Sequence, residues 1–193
     1  MRYISIDIET TGIDPEVDQI LEIGAIIEDT NNLLSFDKIP KFKCIIEHNK
    51  YTGNAFAINL NQRIFEILAK IPDSRKDMIA HCQYKVDHNI LTPQQAVIEF
   101  TKFLRNNNIQ SGYSAAGKNY AGFDNLFLKK FENWPKAHQR VIDPGVLFVD
   151  FRKDWITPNL ETCKQRAGLS NTKVSHDALE DAWDVIQVLR AKY

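Results

Sequence analysis

An alternation of apolar and polar side chains near the start of the chain is the strongest constraint on its fold. Between residues 2 and 9, isoleucines occupy every second position, with Ser5, Asp7 and Glu9 among the residues between them. Side chains two residues apart in a β-strand share a face, so this pattern predicts a strand with one apolar and one acidic face. Two neighbouring carboxylates repel each other unless a cation lies between them. A solvated strand face is the alternative, because an Asp-x-Glu pair is common by chance.

The apolar periodicity of the rest of the chain predicts a mixed α/β architecture. Strands are predicted at 2–9, 20–28, 41–47, 113–119 and 141–148, and helices at 61–71, 93–106, 122–132, 159–167 and 177–192. This order indicates a mixed five-stranded sheet flanked by helices, with three antiparallel strands first and parallel strands after them. We expect 1–193 to form a single domain, with an extended insertion-like segment around 48–92 that is polar and irregular from 73 onwards.

Composition and charge exclude several classes of protein. A formal net charge of −1 over 193 residues argues against a protein that grips long duplexes through many phosphates. Cys44, Cys82 and Cys163 are too few and too scattered for a disulfide framework or a zinc site, and they suit a reducing compartment. The sequence shows no signal peptide and no membrane-spanning segment. We therefore expect a cytoplasmic protein without a membrane partner, or one in a host's cytoplasm if the gene is viral.

A second acidic position lies in the segment that begins at Asn119. At about 100° per residue, Asp124 falls on the same side of the predicted helix as Phe127 and Phe131. An aspartate on the apolar side of a helix needs a partner. Capping of the helix is the alternative explanation, because Asp124 lies near its start. Asn119 either ends its strand or orients a ligand or the loop.

A third acidic motif begins the last predicted helix. Asp177 and Glu180 have the spacing of a capping pair, which places the helix start at Asp177. Asp181 then lies in the first turn, where its carboxylate can reach the edge of the sheet. Because His176 precedes the helix, its side chain and that of Asp181 can converge on one site. For His176 taken alone, an exposed loop imidazole is the alternative.

Together the three motifs suit the hydrolysis of a phosphodiester bond. That reaction needs an attacking water in line with the leaving oxygen. It also needs the negative charge on the phosphoryl oxygens to be neutralised, and two divalent cations meet both needs. Mg²⁺ and Mn²⁺ prefer oxygen ligands, so we predict a site for two such ions. Its ligands would be Asp7, Glu9, Asp124 and Asp181, with Asp7 bridging the ions. An imidazole at position 176 titrates near neutral pH and can act as the general base.

At these motifs the chain resembles the DEDDh branch of the DnaQ-like 3′→5′ exonucleases, which includes proofreading subunits, ribonuclease T and oligoribonuclease. The family's three motifs are matched by Asp7, Glu9, Thr10, Thr11 and Gly12, by Asn119, Phe123, Asp124, Phe127 and Leu128, and by His176, Ala178 and Asp181. The resemblance spans nearly the whole chain. It implies a ribonuclease H-like fold, four carboxylates that bind metal, a histidine general base and a nucleic-acid 3′ end as substrate. The product would be a nucleoside 5′-monophosphate.

The resemblance also suggests residues that contact the terminal nucleotide. The candidates are Thr10, Thr11, Gly12, Ile13, Asn59, Asn119 and Phe123. Ile13 or Phe123 would wedge against the terminal base, although both are also reasonable core residues. The stretch that ends at Asn61 could also contact this nucleotide, but its Phe56 is equally compatible with core packing.

Two features depart from the family pattern. Lys118 stands before Asn119, where many members carry histidine, and the segment 48–92 looks longer than in the plainer members. The departure at Lys118 puts one substrate contact in doubt. Asp143 is expected to be a turn residue before Pro144 rather than a fifth ligand.

Three other functions fit the sequence less well. A catalytically silent domain that binds nucleic acid or a polymerase would be expected to have lost an acid or the histidine, and all five residues are present. A phosphatase that begins Asp-x-Asp is disfavoured by Glu9, and a tyrosine-type branch of the superfamily by His176. The preference for DNA or RNA stays open, although the moderate charge favours single-stranded or short ends. The resemblance allows either a homodimer or a chain bound to a polymerase.

Overall fold

The computed structural model of the protein describes residues 1–110, 112–170 and 173–193. Its strands are β1 (Arg2–Thr10), β2 (Ile20–Asp29), β3 (Lys41–Ile46), β4 (Ile90–Leu91) and β5 (Ala115–Ala116). They form one mixed sheet in the spatial order β4-β3-β2-β1-β5. The pairs β1–β2 and β2–β3 are antiparallel, whereas β5 lies parallel to β1 and β4 parallel to β3. The predicted mixed five-stranded sheet, with three antiparallel strands first, is confirmed.

Eight helices flank this sheet in the described ranges. They are α1 (Ala55–Leu60), α2 (Gln62–Leu68), α3 (Met78–Asp87), α4 (Pro93–Asn106), α5 (Asp124–Leu128), α6 (Pro144–Leu147), α7 (Leu160–Arg166) and α8 (Ala178–Arg190). The start of α4 is a capping box, in which Thr92 and Gln95 each accept a hydrogen bond from the other's backbone nitrogen. Within the described parts of the chain, no helix combines the length and the apolar character needed to cross a membrane.

Strand β1 is buried on both faces. Ile4, Ile6 and Ile8 pack in one cluster with side chains of α4 and α5, including Phe100 and Phe127. A second cluster joins Tyr3 of β1 to apolar residues of α7 and α8. Because side chains alternate along a strand, the odd-numbered residues of β1 lie on the face that α8 covers. The two acids of β1 therefore point towards α8.

One predicted strand is wrong. The segment 141–148 contributes only an isolated bridge from Ile142 to Ala116, and its second half is the short helix α6. Pro144 has no backbone N–H to donate to a strand, and the Asp143 carboxylate accepts a hydrogen bond from Gly145 N, which caps the helix. The fifth strand is instead β4, at the opposite edge of the sheet.

The prediction of irregular structure from 73 to 92 is also wrong. This stretch contains α3, capped by Asp77 through Ala80 N, and then β4. Helix α3 has no buried residue, so it lacks the apolar stripe that reveals a helix in a sequence. Strand β5 and helix α5 are both shorter than predicted, and α1 was not predicted. Whether 48–92 is an insertion, and whether 1–193 is one domain, stay predictions.

Candidate active site

Asp7 and Glu9 lie near the carboxyl end of β1 and face the start of α8. In the register of β1 with β2, Asp7 is opposite Gly24 and Glu9 is opposite Glu22. A β-carbon added to Gly24 would lie 2.3 Å from the carbonyl of Ala178, so only glycine allows α8 to approach β2 this closely. The glycine in β2 thus brings the third acidic motif next to the first.

Asp124 reaches β1 from the other side. It is the first residue of α5 and only 3% exposed, and its Oδ1 accepts a hydrogen bond from the Ile8 backbone nitrogen at 3.1 Å. Its carboxylate therefore lies against the strand between the two acids of the first motif. Asp124 does not cap α5, because the N-cap residue of this helix is Phe123, which makes no side-chain capping bond.

Asp181 and His176 complete the arrangement. Asp181 is 4% exposed, and its Oδ1 accepts hydrogen bonds from Ser175 N at 3.2 Å and Ser175 Oγ at 3.0 Å. His176 is exposed and has a positive φ of 56°, which turns the loop just before Asp177 caps α8. Ligand atoms of Glu9, His176 and Asp181 all lie within 4.8 Å of one another. The imidazole is therefore part of the carboxylate pocket, which we define as Asp7, Glu9, Asp124, Asp181 and His176.

The electrostatics of the carboxylate pocket are those of crowded anions. Burial, and next the charge of Asp124, raise the pKa of Asp7 well above its usual range. Burial and the charge of Asp181 raise the pKa of Glu9 to about 8. Burial raises the pKa of Asp124 to about 7, and it also raises the pKa of Asp181. In the described ranges no lysine or arginine forms an ion pair with any of the four acids. Such a pocket suits hard divalent cations with oxygen ligands.

A neighbouring ion cluster was not predicted from the sequence. Glu22 is fully buried, and its carboxylate accepts two hydrogen bonds from Arg63, at 3.1 and 2.8 Å, and one from Ala178 N at 3.1 Å. Lys43 lies 3.3 Å from Glu22 and 2.5 Å from Asp177. These contacts tie α2, β3 and the N-terminus of α8 together. The signal in the sequence was a glutamate flanked by apolar residues on both sides in β2.

The candidate substrate residues lie in three places: the loop after β1, helix α1, and the segment between β5 and α5. Thr10 and Thr11 are buried and shape the loop after β1: Thr10 Oγ1 donates to Gly12 O, and Thr11 Oγ1 accepts from Gln19 N. Ile13 lies on the same loop and is 81% exposed, so it is free to meet a ligand rather than packed in the core.

Asn59, in α1, and Asn61, directly after α1, differ in burial. Asn59 is exposed, whereas Asn61 is buried and donates from Nδ2 to Thr10 O at 3.2 Å. The Asn61 Oδ1 has no hydrogen-bond partner in the described part of the chain. The residue that reaches the carboxylate pocket from this segment is therefore Asn61. Phe56 is 76% exposed and does not belong to the core.

The remaining candidates lie around β5 and α5. Asn119 is exposed, has a φ of 62° and donates its backbone N–H to Asp143 Oδ2, so it organises the turn after β5. Phe123 is partly buried, and its ring packs against that of Phe127 in a tilted arrangement with 5.1 Å between the ring centroids. Asp143 caps α6, in agreement with the expected turn role. Roles for these residues in binding stay predictions.

The fold and the carboxylate pocket define a class, the exonucleases of ribonuclease H-like fold. The exonuclease family model RNase_T matches residues 4–189, and the chain belongs to this family. The resemblance inferred from the three motifs is thereby confirmed. A comparison with curated protein sequences finds no match.

Solved structures share the fold at low sequence identity. The nuclease domain of 3′hExo, a DEDDh family member bound to rAMP, has 19% identity and a TM-score of 0.64, with 99% of this chain and 90% of that chain covered. The zinc-bound E. coli ExoI–ssDNA complex has 16% identity and a TM-score of 0.62, covering 99% of this chain but only 39% of that one. Cell-death related nuclease 4 has 13% identity and a TM-score of 0.64, with 98% and 62% covered. This chain thus spans less than half the length of ExoI.

Proposed function

We propose that the protein is a metal-dependent 3′→5′ exonuclease that removes nucleoside 5′-monophosphates from single-stranded or short DNA or RNA. The observation that carries the proposal is the carboxylate pocket. Its four acids come from three distant segments and lie together without a lysine or arginine partner in the described ranges. Burying unpaired charges costs free energy, so the arrangement makes physical sense when cations are bound.

Two divalent cations, Mg²⁺ or Mn²⁺, would be held by Asp7, Glu9, Asp124 and Asp181, and would supply charge neutralisation at the phosphoryl group and activation of water. Burial and the charges of Asp124, Asp181 and Glu9 all raise the pKa of Asp7, so its carboxylate is close to the other three acids, which suits a bridging position. The fit rests on the donor set, because carboxylate oxygens are the ligands that hard cations prefer. Among the solved relatives, the ExoI complex holds zinc and ssDNA, and 3′hExo holds rAMP.

His176 is the proposed general base. It lies on an exposed loop within reach of Glu9 and Asp181, and an imidazole accepts a proton near neutral pH. Accepting the proton from the attacking water leaves the pocket with one more positive charge as negative charge builds on the phosphoryl oxygens. His176 has a positive φ and precedes α8, and its imidazole lies within 4.8 Å of ligand atoms of Glu9 and Asp181.

Loop residues around the pocket are proposed to hold the terminal nucleotide. Ile13 and Phe56 are both exposed large apolar side chains, and their segments touch where Asn54 N donates to Thr11 O at 2.9 Å. A base placed between them would be gripped on apolar surfaces. The free Oδ1 of Asn61 and the turn at Asn119 offer polar contacts nearby. We place the activity in the cytoplasm, because Cys44, Cys82 and Cys163 are free thiols.

The test is a digestion of end-labelled oligonucleotides. Single-stranded DNA and RNA with a 5′ label, incubated with Mg²⁺ or Mn²⁺, should shorten stepwise from the 3′ end and release nucleoside 5′-monophosphates. A phosphorothioate in the last linkage should slow the first step, and EDTA should stop the reaction. Asp124→Asn should abolish it as well. Asp37→Asn is the matched control, because Asp37 is exposed in the loop between β2 and β3, at the other end of the strands.

A catalytically silent domain is the competing function. If the purified protein binds the oligonucleotide but shortens it no faster than Asp124→Asn does with either metal, the exonuclease proposal is wrong. Internal cleavage products would also contradict it, because they identify an endonuclease.

A further inference from the structure

An open groove with exposed aromatic side chains lies beside the carboxylate pocket. Its volume is about 560 Å³, and its lining includes Lys118, Trp155, Ile156, Asn159 and Arg166. We call it the Trp155 groove. Trp155 is 90% exposed and Ile156 61% exposed, and Phe151 just before them is 89% exposed. Large aromatic residues are seldom left so open unless they meet a ligand or a partner.

The charges of the groove favour a polyanion. Three cationic side chains, Lys118, Lys153 and Arg166, line it with a single carboxylate, that of Asp154. Each of these three cations forms an ion pair, Lys118 with Asp143, Lys153 with Asp150 and Arg166 with Asp154. The positive charge left over at the groove is that of the neighbouring Arg152, which is exposed and forms no ion pair in the described ranges.

The groove approaches the carboxylate pocket at Lys118. Strand β5 runs parallel to β1, with Ser5 opposite Ala116, and a β-carbon at Gly117 would lie 2.8 Å from Ile6 O. Lys118 follows Gly117 directly, so its backbone lies near the end of β1 that carries Asp7. A ligand that extends from the groove past Lys118 would therefore come close to the acids of β1.

We propose that the Trp155 groove binds the single strand of nucleic acid whose 3′ end lies in the carboxylate pocket. This inference rests on the proposed function and names the surface that holds nucleotides upstream of the terminal one. Trp155 and Phe151 are stacking platforms, which every base can use because every base has a π face. Lys118, Arg152 and Lys153 contact phosphates. The groove gives the enzyme a preference for unpaired strands longer than a dinucleotide.

The test compares two substrates and three variants. KM and kcat are measured for a thymidylate dinucleotide and a thymidylate 12-mer with wild type, Trp155→Ala, Trp155→Phe and Ile79→Ala. Loss of one stacking contact should raise the ratio of the 12-mer KM to the dinucleotide KM about tenfold in Trp155→Ala. Trp155→Phe keeps an aromatic ring, so its ratio of the 12-mer KM to the dinucleotide KM should stay close to that of wild type. Ile79 is 83% exposed on α3, beside β4 at the opposite edge of the sheet, so Ile79→Ala should match wild type.

A second measurement is independent of catalysis. The 12-mer in EDTA should quench tryptophan fluorescence in wild type, and most of that quenching should be absent in Trp155→Phe, because Trp134 is buried and Trp183 packs against Phe36. If no substrate is digested but this quenching occurs, the proposed function fails and the groove stands. If digestion proceeds and both the KM ratio and the quenching are unchanged in Trp155→Ala, the groove proposal is overturned. A dimer in wild type that is lost in Trp155→Ala, with unchanged oligonucleotide binding, overturns it in favour of a second copy of the chain.

Discussion

Glu9 and Glu22 face each other across β1 and β2, and their surroundings are opposite in kind. Both are buried, at 7% and 0% exposure. Glu22 is neutralised from within the protein by Arg63, Lys43 and a backbone N–H. Glu9 lies among other carboxylates, and its pKa rises to about 8. The cations at this end of the sheet form ion pairs with Glu22 and Asp177 and, in the described ranges, with none of the four acids of the carboxylate pocket, which leaves that pocket for ions from solution.

The two regions are connected mechanically. Asp177 belongs to the ion cluster through Lys43 and Arg63, and it also caps α8 by accepting hydrogen bonds from Leu179 N and Glu180 N. His176 precedes it and Asp181 follows in the same turn. The ion cluster thus fixes the position of the last motif, while the carboxylate pocket uses that position. The predictions below test whether the ion cluster acts on stability and the carboxylate pocket on catalysis.

The largest expected effect is on catalysis by Asp7→Asn. Removing a ligand and bridging charge should lower kcat by about a thousandfold or more. The metal-free variant should melt at a temperature equal to or above that of wild type, because one of the mutually repelling carboxylates is gone. Calorimetry without metal and the oligonucleotide assay together test both halves. A variant that is inactive because it is unfolded would contradict the comparison.

His176→Ala should have the next largest effect. Loss of the general base should lower kcat by about a hundredfold or more, with little change in KM. The imidazole is exposed, so thermal unfolding should match wild type. Unchanged turnover would show that the pocket contains no base at this position.

A smaller effect is expected when the ion cluster is opened. Arg63→Ala leaves the buried Glu22 with only Lys43 and one N–H, and should lower the free energy of unfolding by about 2 kcal/mol. The matched control is Arg75→Ala, since Arg75 has an 89% exposed side chain and, among the residues that the structure describes, pairs with the nearby Asp73 alone. Its melting temperature should equal that of wild type. Equal losses in the two variants would show that Glu22 does not depend on its internal cations.

The last prediction concerns the dependence of stability on pH in the absence of metal. The folded-state pKa values of Glu9 and Asp124 rise from 4.5 and 3.8 to about 8 and about 7. The native state therefore binds more protons than the unfolded state in this window, and the free energy of unfolding should fall as pH rises from about 4 to 8. Glu9→Gln should flatten part of the slope. Mg²⁺ should stabilise the protein more at pH 8 than at pH 5, because it binds the deprotonated acids. A rise in metal-free stability over this range would contradict the crowding of the acids.

Much of the fold and of the carboxylate pocket was predictable from local patterns. The alternation around Asp7 depends only on the two-residue period of a strand, and the starts of α4 and α8 depend on caps within a few residues of each other. The elements that were missed or wrong lacked such a pattern. Helix α3 has no buried face, β4 is two residues long, and Pro144 ends the strand predicted at 141–148.

Sequence by itself determined which residues are acidic, which face of β1 they share and the family to which the chain belongs. Tertiary structure alone decided which buried glutamate receives cations, because Arg63 and Glu22 are 41 residues apart and meet only when α2 packs beside β2. It also decided that Asn61, not Asn59, reaches the loop after β1, and that Trp155 lies open beside Lys118. The two kinds of feature differ because caps and periodicity act over a few residues, whereas charge pairing and burial depend on segments that folding brings together.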